Sequence, residues 1–178
     1  MEIMVTITIS GTPGSGKSTV AELLRDKLGL KYVYSGMIFR ELAKKHKMSL
    51  EEFGKYCEKN SDVDKELDKR QVEILKKGNV ILEGRLSGWL AHINNVSALK
   101  VAIDTNLDTR ARRIVNREKG NVEKRKKEII KREKSEATRY KNYYNIDLKD
   151  TSIYDLVIDS GDKTPEEIAD IIIKKLPR

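Results

Sequence analysis

Residues 11–19 read Gly-Thr-Pro-Gly-Ser-Gly-Lys-Ser-Thr and match the spacing G-x-x-x-x-G-K-[ST]. Glycines at that spacing let the backbone curl until successive N–H groups converge on phosphate oxygens, and the start of a following helix adds partial positive charge there. Gly11, Thr12, Pro13, Gly14, Ser15, Gly16, Lys17, Ser18 and Thr19 are therefore the expected phosphate-binding residues. Lys17 is the cation expected to reach the β- and γ-phosphates of ATP, and the Ser18 hydroxyl is the expected Mg²⁺ ligand. The bland alternative is a glycine-rich turn that binds nothing. A β-branched run immediately before the loop and an amphipathic pattern after it, with Val20, Leu23, Leu24 and Leu28 on one face, argue against that.

Such a loop serves switches, motors and small-molecule kinases alike, so other residues must decide. The chain carries no N-K-x-D element of the guanine-specific proteins, and its third strand-like run ends in Glu83-Gly84-Arg85, not in the paired acids of motor ATPases. A Ser35-Gly36 turn after the second run opens a helix with Arg40 about one turn in. Arginine suits a monophosphate, because its planar fork makes two parallel bonds to phosphate oxygens. Ser35, Gly36, Arg40, Glu83, Gly84 and Arg85 form the candidate acceptor site, at strand ends where open α/β sheets bind ligands.

Positioning these groups requires strands that end beside one another. Nearly continuous apolar runs at 3–9, 32–34, 80–83, 99–103 and 156–159 suit strands buried on both faces of a parallel sheet. Helical patterns lie between them at 37–45, 49–59, 63–77, 107–119, 122–145 and 165–176, the last with Pro165 at a favoured first-turn position. The alternation predicts an α/β three-layer P-loop fold, a parallel sheet of about five strands with helices on both faces. A length of 178 residues suits one domain. The N-terminal run reads as a strand and not a signal peptide, and no apolar stretch approaches the roughly 20 residues of a membrane helix. The single cysteine, Cys57, has no disulfide partner, so a cytoplasmic protein is expected. His46 and His92 lack metal-ligand spacing, and Trp89 suits either stacking on a base or burial against the core.

A net charge of +8 points to an anionic partner without naming it. Residues 110–141 are dominated by Lys and Arg, with Arg113 and Arg117 one turn apart and Arg132 and Arg139 two turns apart on a second helix. A solvated helical pair balanced by Glu118, Glu123, Glu128, Glu133 and Glu136 is the plain alternative. RNA or DNA binding is disfavoured, since Tyr140, Tyr143 and Tyr144 cluster and are not interleaved with the basic residues.

The succession GTPGSGKST, SGMIFR, EGRLSGW, REKSEATRY with NYYNID, YDLVIDS and TPEEIA resembles the cytidylate kinases of the nucleoside monophosphate kinase superfamily, in their short archaeal form, over nearly the whole chain. Phe39, Glu83 and Leu86 depart from the Ser-Gly-x-x-Tyr-Arg and Asp-Gly-Arg-Asp patterns of bacterial members. The resemblance implies phosphoryl transfer from Mg²⁺-ATP to CMP or dCMP by a monomer. Arg40 and Arg85 would hold the acceptor, and Lys17, Arg113, Arg117, Arg132 and Arg139 would stabilise the transferring group. It further implies a core of 1–35, 79–109 and 150–178, acceptor-binding helices at about 36–78 and a mobile lid at about 110–149. The rival readings are an adenylate or uridylate kinase and a nucleotide-controlled RNA-binding module.

Overall fold

Five runs rich in Val, Ile and Thr pair into one parallel sheet, and the computed structural model describes residues 4–177. The strands are β1 (Thr6–Gly11), β2 (Lys31–Tyr34), β3 (Val80–Glu83), β4 (Leu99–Asp104) and β5 (Leu156–Asp159), in the order β2-β3-β1-β4-β5. Ile9 of β1 lies opposite Glu83 of β3, and Gly11 opposite Ile103 of β4. The phosphate loop thus leaves the sheet from its central strand, with the acidic end of β3 beside it.

Alternation along β1 assigns its two faces. Ile7 and Ile9 pack with Val20 and Leu24 of α1 (Lys17–Leu28) and Ile168 and Ile172 of α8 (Pro165–Lys175). Fully burying each such side chain contributes about 1.5–3 kcal/mol. Thr8 and Ser10 point the other way. On that side Ser10 Oγ lies 3.1 Å from Ser87 Oγ and accepts from the Gly88 N–H at 3.0 Å. Ser87 and Gly88 open α5 (Ser87–Ile93).

The same side carries α2 (Ser35–Lys45), α3 (Leu50–Lys59) and α4 (Ser61–Lys77), packed over Val33, Ile38, Phe53, Leu75, Val80 and Leu82. Two further helices, α6 (Leu107–Glu118) and α7 (Val122–Tyr144), meet over a small cluster of Ala111, Ile114 and Ile129. Capping residues set several boundaries: Ser49 and Thr164 form capping boxes with Glu52 and Glu167, and Asn106 and Asn121 cap α6 and α7.

The expected elements are present with boundary shifts. β1 runs on to Gly11, and Ile3 of the expected strand lies outside the described residues. The short helix α5 was not expected. Its N-cap, Leu86, makes no side-chain capping bond, and it begins at a Ser-Gly pair that reads as a turn. Trp89 is 8 % exposed and packs into the core over α4 and α5, the burial alternative of its two readings.

Candidate active site

The phosphate loop is held by close approaches that only glycine permits. A Cβ at Gly11 would stand 2.1 Å from the Ile103 carbonyl oxygen, so β1 and β4 could not pair this far with a side chain there. Gly14 (φ +80°) and Gly16 (φ +90°) adopt left-handed backbone, and a Cβ at Gly14 would lie 2.7 Å from the Arg110 carbonyl oxygen. Gly16 is also the N-cap of α1 and makes no side-chain capping bond, which leaves the first N–H groups of the helix facing the loop.

Lys17 Nζ folds back over the loop and donates to the Thr12 carbonyl at 3.3 Å. Burial lowers its pKa to about 8; Glu83 opposes that shift, and Arg85 and Arg132 add to it. Ser18 Oγ donates to Glu83 Oε1 at 2.7 Å, and the Tyr32 hydroxyl donates to Glu83 Oε2. Both oxygens of a carboxylate that is 6 % exposed are therefore engaged. Burial and the hydrogen bond to Glu83 raise the Tyr32 pKa, which keeps the phenol a donor.

Behind the loop stand arginines of α6. Arg113 donates to Ser15 O at 3.1 Å, Ser160 Oγ at 2.9 Å and Ser160 O at 2.8 Å. Arg110, 7 % exposed, donates to Thr105 O at 3.1 Å and to Glu133 of α7 at 2.7 Å. These bonds fix α6 to the loop and α7 to α6. Thr12 adds a tie, donating to Asp104 at the end of β4.

Two cavities flank this arrangement. The first, about 660 Å³, is lined by residues 13–20 together with Arg113, Arg117, Arg132, Ser160, Lys163 and Pro165. The second, about 380 Å³, is lined by Ser35, Gly36, Phe39, Phe53, Asp68, Gln71, Arg85, Leu86, Arg132, Glu136 and Arg139, among others. Arg132 lines both. Its Nε donates to Glu136 Oε1 at 2.9 Å, and Arg85 Nε donates to Glu136 Oε2 at 2.6 Å. One carboxylate, 4 % exposed, thus holds two guanidinium groups at the junction of the cavities.

This fold has solved counterparts. It is similar to a shikimate kinase from Bacteroides thetaiotaomicron, with TM-score 0.63 and 14 % identity over 97 % of this chain and 98 % of that one. Similarity to an uncharacterized protein from Eubacterium ventriosum has TM-score 0.72 and 20 % identity over 96 % of each chain. At such identities the likeness concerns the fold, a P-loop α/β architecture. Residues 6–162 match the model of the cytidylate kinase-like family. The chain belongs to that family. Two relatives named cytidylate kinase agree. The protein of Methanococcus vannielii is 47 % identical over 171 residues, 96 % of this chain and 98 % of that protein. The protein of Methanocaldococcus jannaschii is 47 % identical over 167 residues, 93 % and 94 % of the two chains. Membership makes the chain a kinase, a phosphotransferase whose phosphoryl donor is ATP.

Within this member of the family, the expected phosphate-loop residues from Pro13 to Thr19 line the first cavity, whereas Gly11 ends β1 and Thr12 braces Asp104. Ser35, Gly36 and Arg85 line the second cavity. Glu83 faces Ser18, and Gly84 donates its N–H to Ile9 O at 3.1 Å and thereby joins β3 to β1. Arg40 is exposed and donates to the Tyr34 hydroxyl at 3.0 Å, apart from the residues that line either cavity. Arg117 projects from the first cavity wall with its side chain 66 % exposed. Arg139 donates to Asp64 Oδ2 at 2.9 Å in the second cavity.

Sequence reasoning missed Tyr32, Glu136, Asp68, Gln71 and Ser160. A signal existed for some of them. Glu136 follows Arg132 by one helical turn, and Asp68 and Gln71 are polar residues on the face of α4 that Val63 and Leu75 bury. Tyr32 gave none, since an aromatic residue in a strand ordinarily reads as packing.

Proposed function

We propose that the chain phosphorylates CMP and dCMP with ATP to give CDP or dCDP and ADP, ATP binding in the first cavity and the monophosphate in the second. The observation that carries this reading is the junction, where Lys17, Arg85 and Arg132 converge between two cavities of nucleotide size.

An oxygen of the acceptor's phosphate attacks the γ-phosphorus as the bond to the β–γ bridging oxygen breaks. No covalent enzyme intermediate is needed, so catalysis is positioning and charge stabilisation. The loop N–H groups and Lys17 hold the donor's phosphates, and Ser35, Gly36 and the start of α2 hold the acceptor's phosphate with Arg85. Arg132, which faces both cavities, meets the negative charge that develops between them. Arg113, tied to Ser15 and Ser160, keeps the loop in shape, while Arg117 and Lys163 line the outer wall of the donor cavity.

Ser18 Oγ and Glu83 Oε1, 2.7 Å apart beside Lys17, are the hard oxygen donors that suit Mg²⁺. When bound, the ion supplies positive charge that draws density from the β- and γ-phosphates. Of the expected lid, Arg110 and Arg113 tie α6 to the loop and Tyr140, Tyr144 and Ile146 pack into the core, so the part that would close and exclude water is the helical stretch between them.

The test is ADP release from Mg²⁺-ATP with CMP, dCMP, UMP, AMP and GMP supplied separately. Turnover led by CMP and dCMP, and lost in Lys17→Ala and Arg85→Ala, is the expected result. Turnover led by another base would overturn the substrate. ADP release indifferent to any monophosphate would overturn the reaction.

A further inference from the structure

Beyond the arginines, the second cavity ends on a polar patch that phosphoryl transfer does not use. Asp64, Asp68 and Gln71 lie at successive turns of α4 and all line it. Asp64 is already engaged, accepting from Arg139 at 2.9 Å and from the Tyr143 hydroxyl at 3.3 Å.

The other two are buried but less fully paired. Asp68 is 4 % exposed and Gln71 is 2 % exposed. Asp68 Oδ2 accepts from the Tyr144 hydroxyl at 2.7 Å, but Oδ1 receives only a long bond, 3.4 Å, from Gln71 Nε2. Gln71 Oε1 is buried with no hydrogen-bond partner. With its amide nitrogen turned to Asp68, that oxygen stands beside the Glu83-Gly84-Arg85 turn, and a Cβ at Gly84 would approach it to 3.3 Å. Burial pushes the Asp68 carboxyl up to about 6, Tyr144 opposing the shift and Asp64 adding to it. A buried acceptor left unpaired costs about 1–3 kcal/mol, so the patch calls for a ligand that brings donors.

The chemistry of that ligand follows from what the patch refuses. An anionic phosphate would be repelled by two acceptor oxygens, whereas a neutral amino group offers one N–H to each. Around the patch, Phe39, Phe53, Leu67 and Leu86 supply apolar surface suited to a flat ring. We propose that Asp68 and Gln71 receive the exocyclic amino group of the acceptor's pyrimidine ring and thereby select cytosine over uracil. This assignment rests on the proposed reaction. Uracil carries a carbonyl oxygen in place of the amino group and would set acceptor against acceptor in a buried site, the arrangement that gives strong discrimination.

The experiment is the ratio of kcat/KM for CMP to that for UMP, measured with saturating Mg²⁺-ATP for the intact wild-type protein, Asp68→Asn and Gln71→Met. Melting temperature and KM for ATP are recorded alongside. Asp68→Asn keeps the shape but can turn an amide donor to the uracil carbonyl, and Gln71→Met keeps the bulk without the acceptor. The expected result is a fall in the ratio of roughly tenfold or more in each variant, with UMP turnover raised in Asp68→Asn and KM for ATP unchanged. A ratio unchanged in both, with CMP and UMP turnover falling together, assigns the pair a structural role and overturns the inference while the reaction stands. Wild-type turnover led by a purine monophosphate, or by none, would overturn the reaction and the inference with it.

Discussion

Lys17 is the side chain on whose charge state the proposed ATP binding depends most directly. Burial lowers its pKa to about 8, so the free protein loses this cation just above neutrality. ATP affinity should therefore fall as pH rises, by roughly tenfold per unit once pH exceeds that pKa, because the neutral amine attracts phosphate far less. Calorimetric titration of ATP between about pH 7 and 9.5 checks this, with Lys17→Met expected to bind weakly and with a flat profile. The effect on folding has the opposite sign. Between about 8 and the ordinary value of 10.5 the unfolded chain holds more protons than the folded one, so this group's contribution to stability rises with pH across that window. The placement of Lys17 and Ser18 beside the loop was legible in the sequence because it follows from spacing to the glycines. Glu136 was not: its charge reads as one partner among many on a solvated helix, and only the approach of Arg85 across 51 residues of chain reveals its role.

At the scale of the element, the loop works because α6 is packed against it. Gly14→Ala would place a methyl group 2.7 Å from the Arg110 carbonyl oxygen on a backbone of φ +80°, two penalties at one position. The expected result is a loss of stability of about 1–3 kcal/mol together with weaker ATP binding, measured by denaturant unfolding and by titration. Unchanged stability would mean that α6 does not bear on the loop. The sheet and most helices were legible, since apolar runs of strand length alternate with patterns of helical period from 20 to 172. What could not be read was how α6 and α7 attach. Arg110 and Arg113 look like other members of a basic run, yet both are turned inward to carbonyl groups of the loop, and burial of that kind depends on contacts distant in sequence. The helix α5 escaped for another reason, being seven residues long and stabilised through Ser10 and the core, not by its own propensity.

For the molecule as a whole, the proposed reaction needs two cavities that work as one site, with a phosphoryl group crossing at Arg132 and not escaping to water. Family membership was legible from the order of short motifs along the chain, and the matched span of residues 6–162 agrees with it. The proposed partition of labour between the cavities was not, because it depends on where α4 and α7 set their buried polar groups. The most direct measurement follows the label of γ-labelled ATP in the presence of Mg²⁺ and CMP, in wild type and in Arg132→Met. The expected result is label in the cytidine nucleotide, with little in inorganic phosphate, and transfer slowed roughly 100-fold in the variant while both nucleotides still bind. Label released mainly as inorganic phosphate, or a variant that transfers at the wild-type rate, would contradict it.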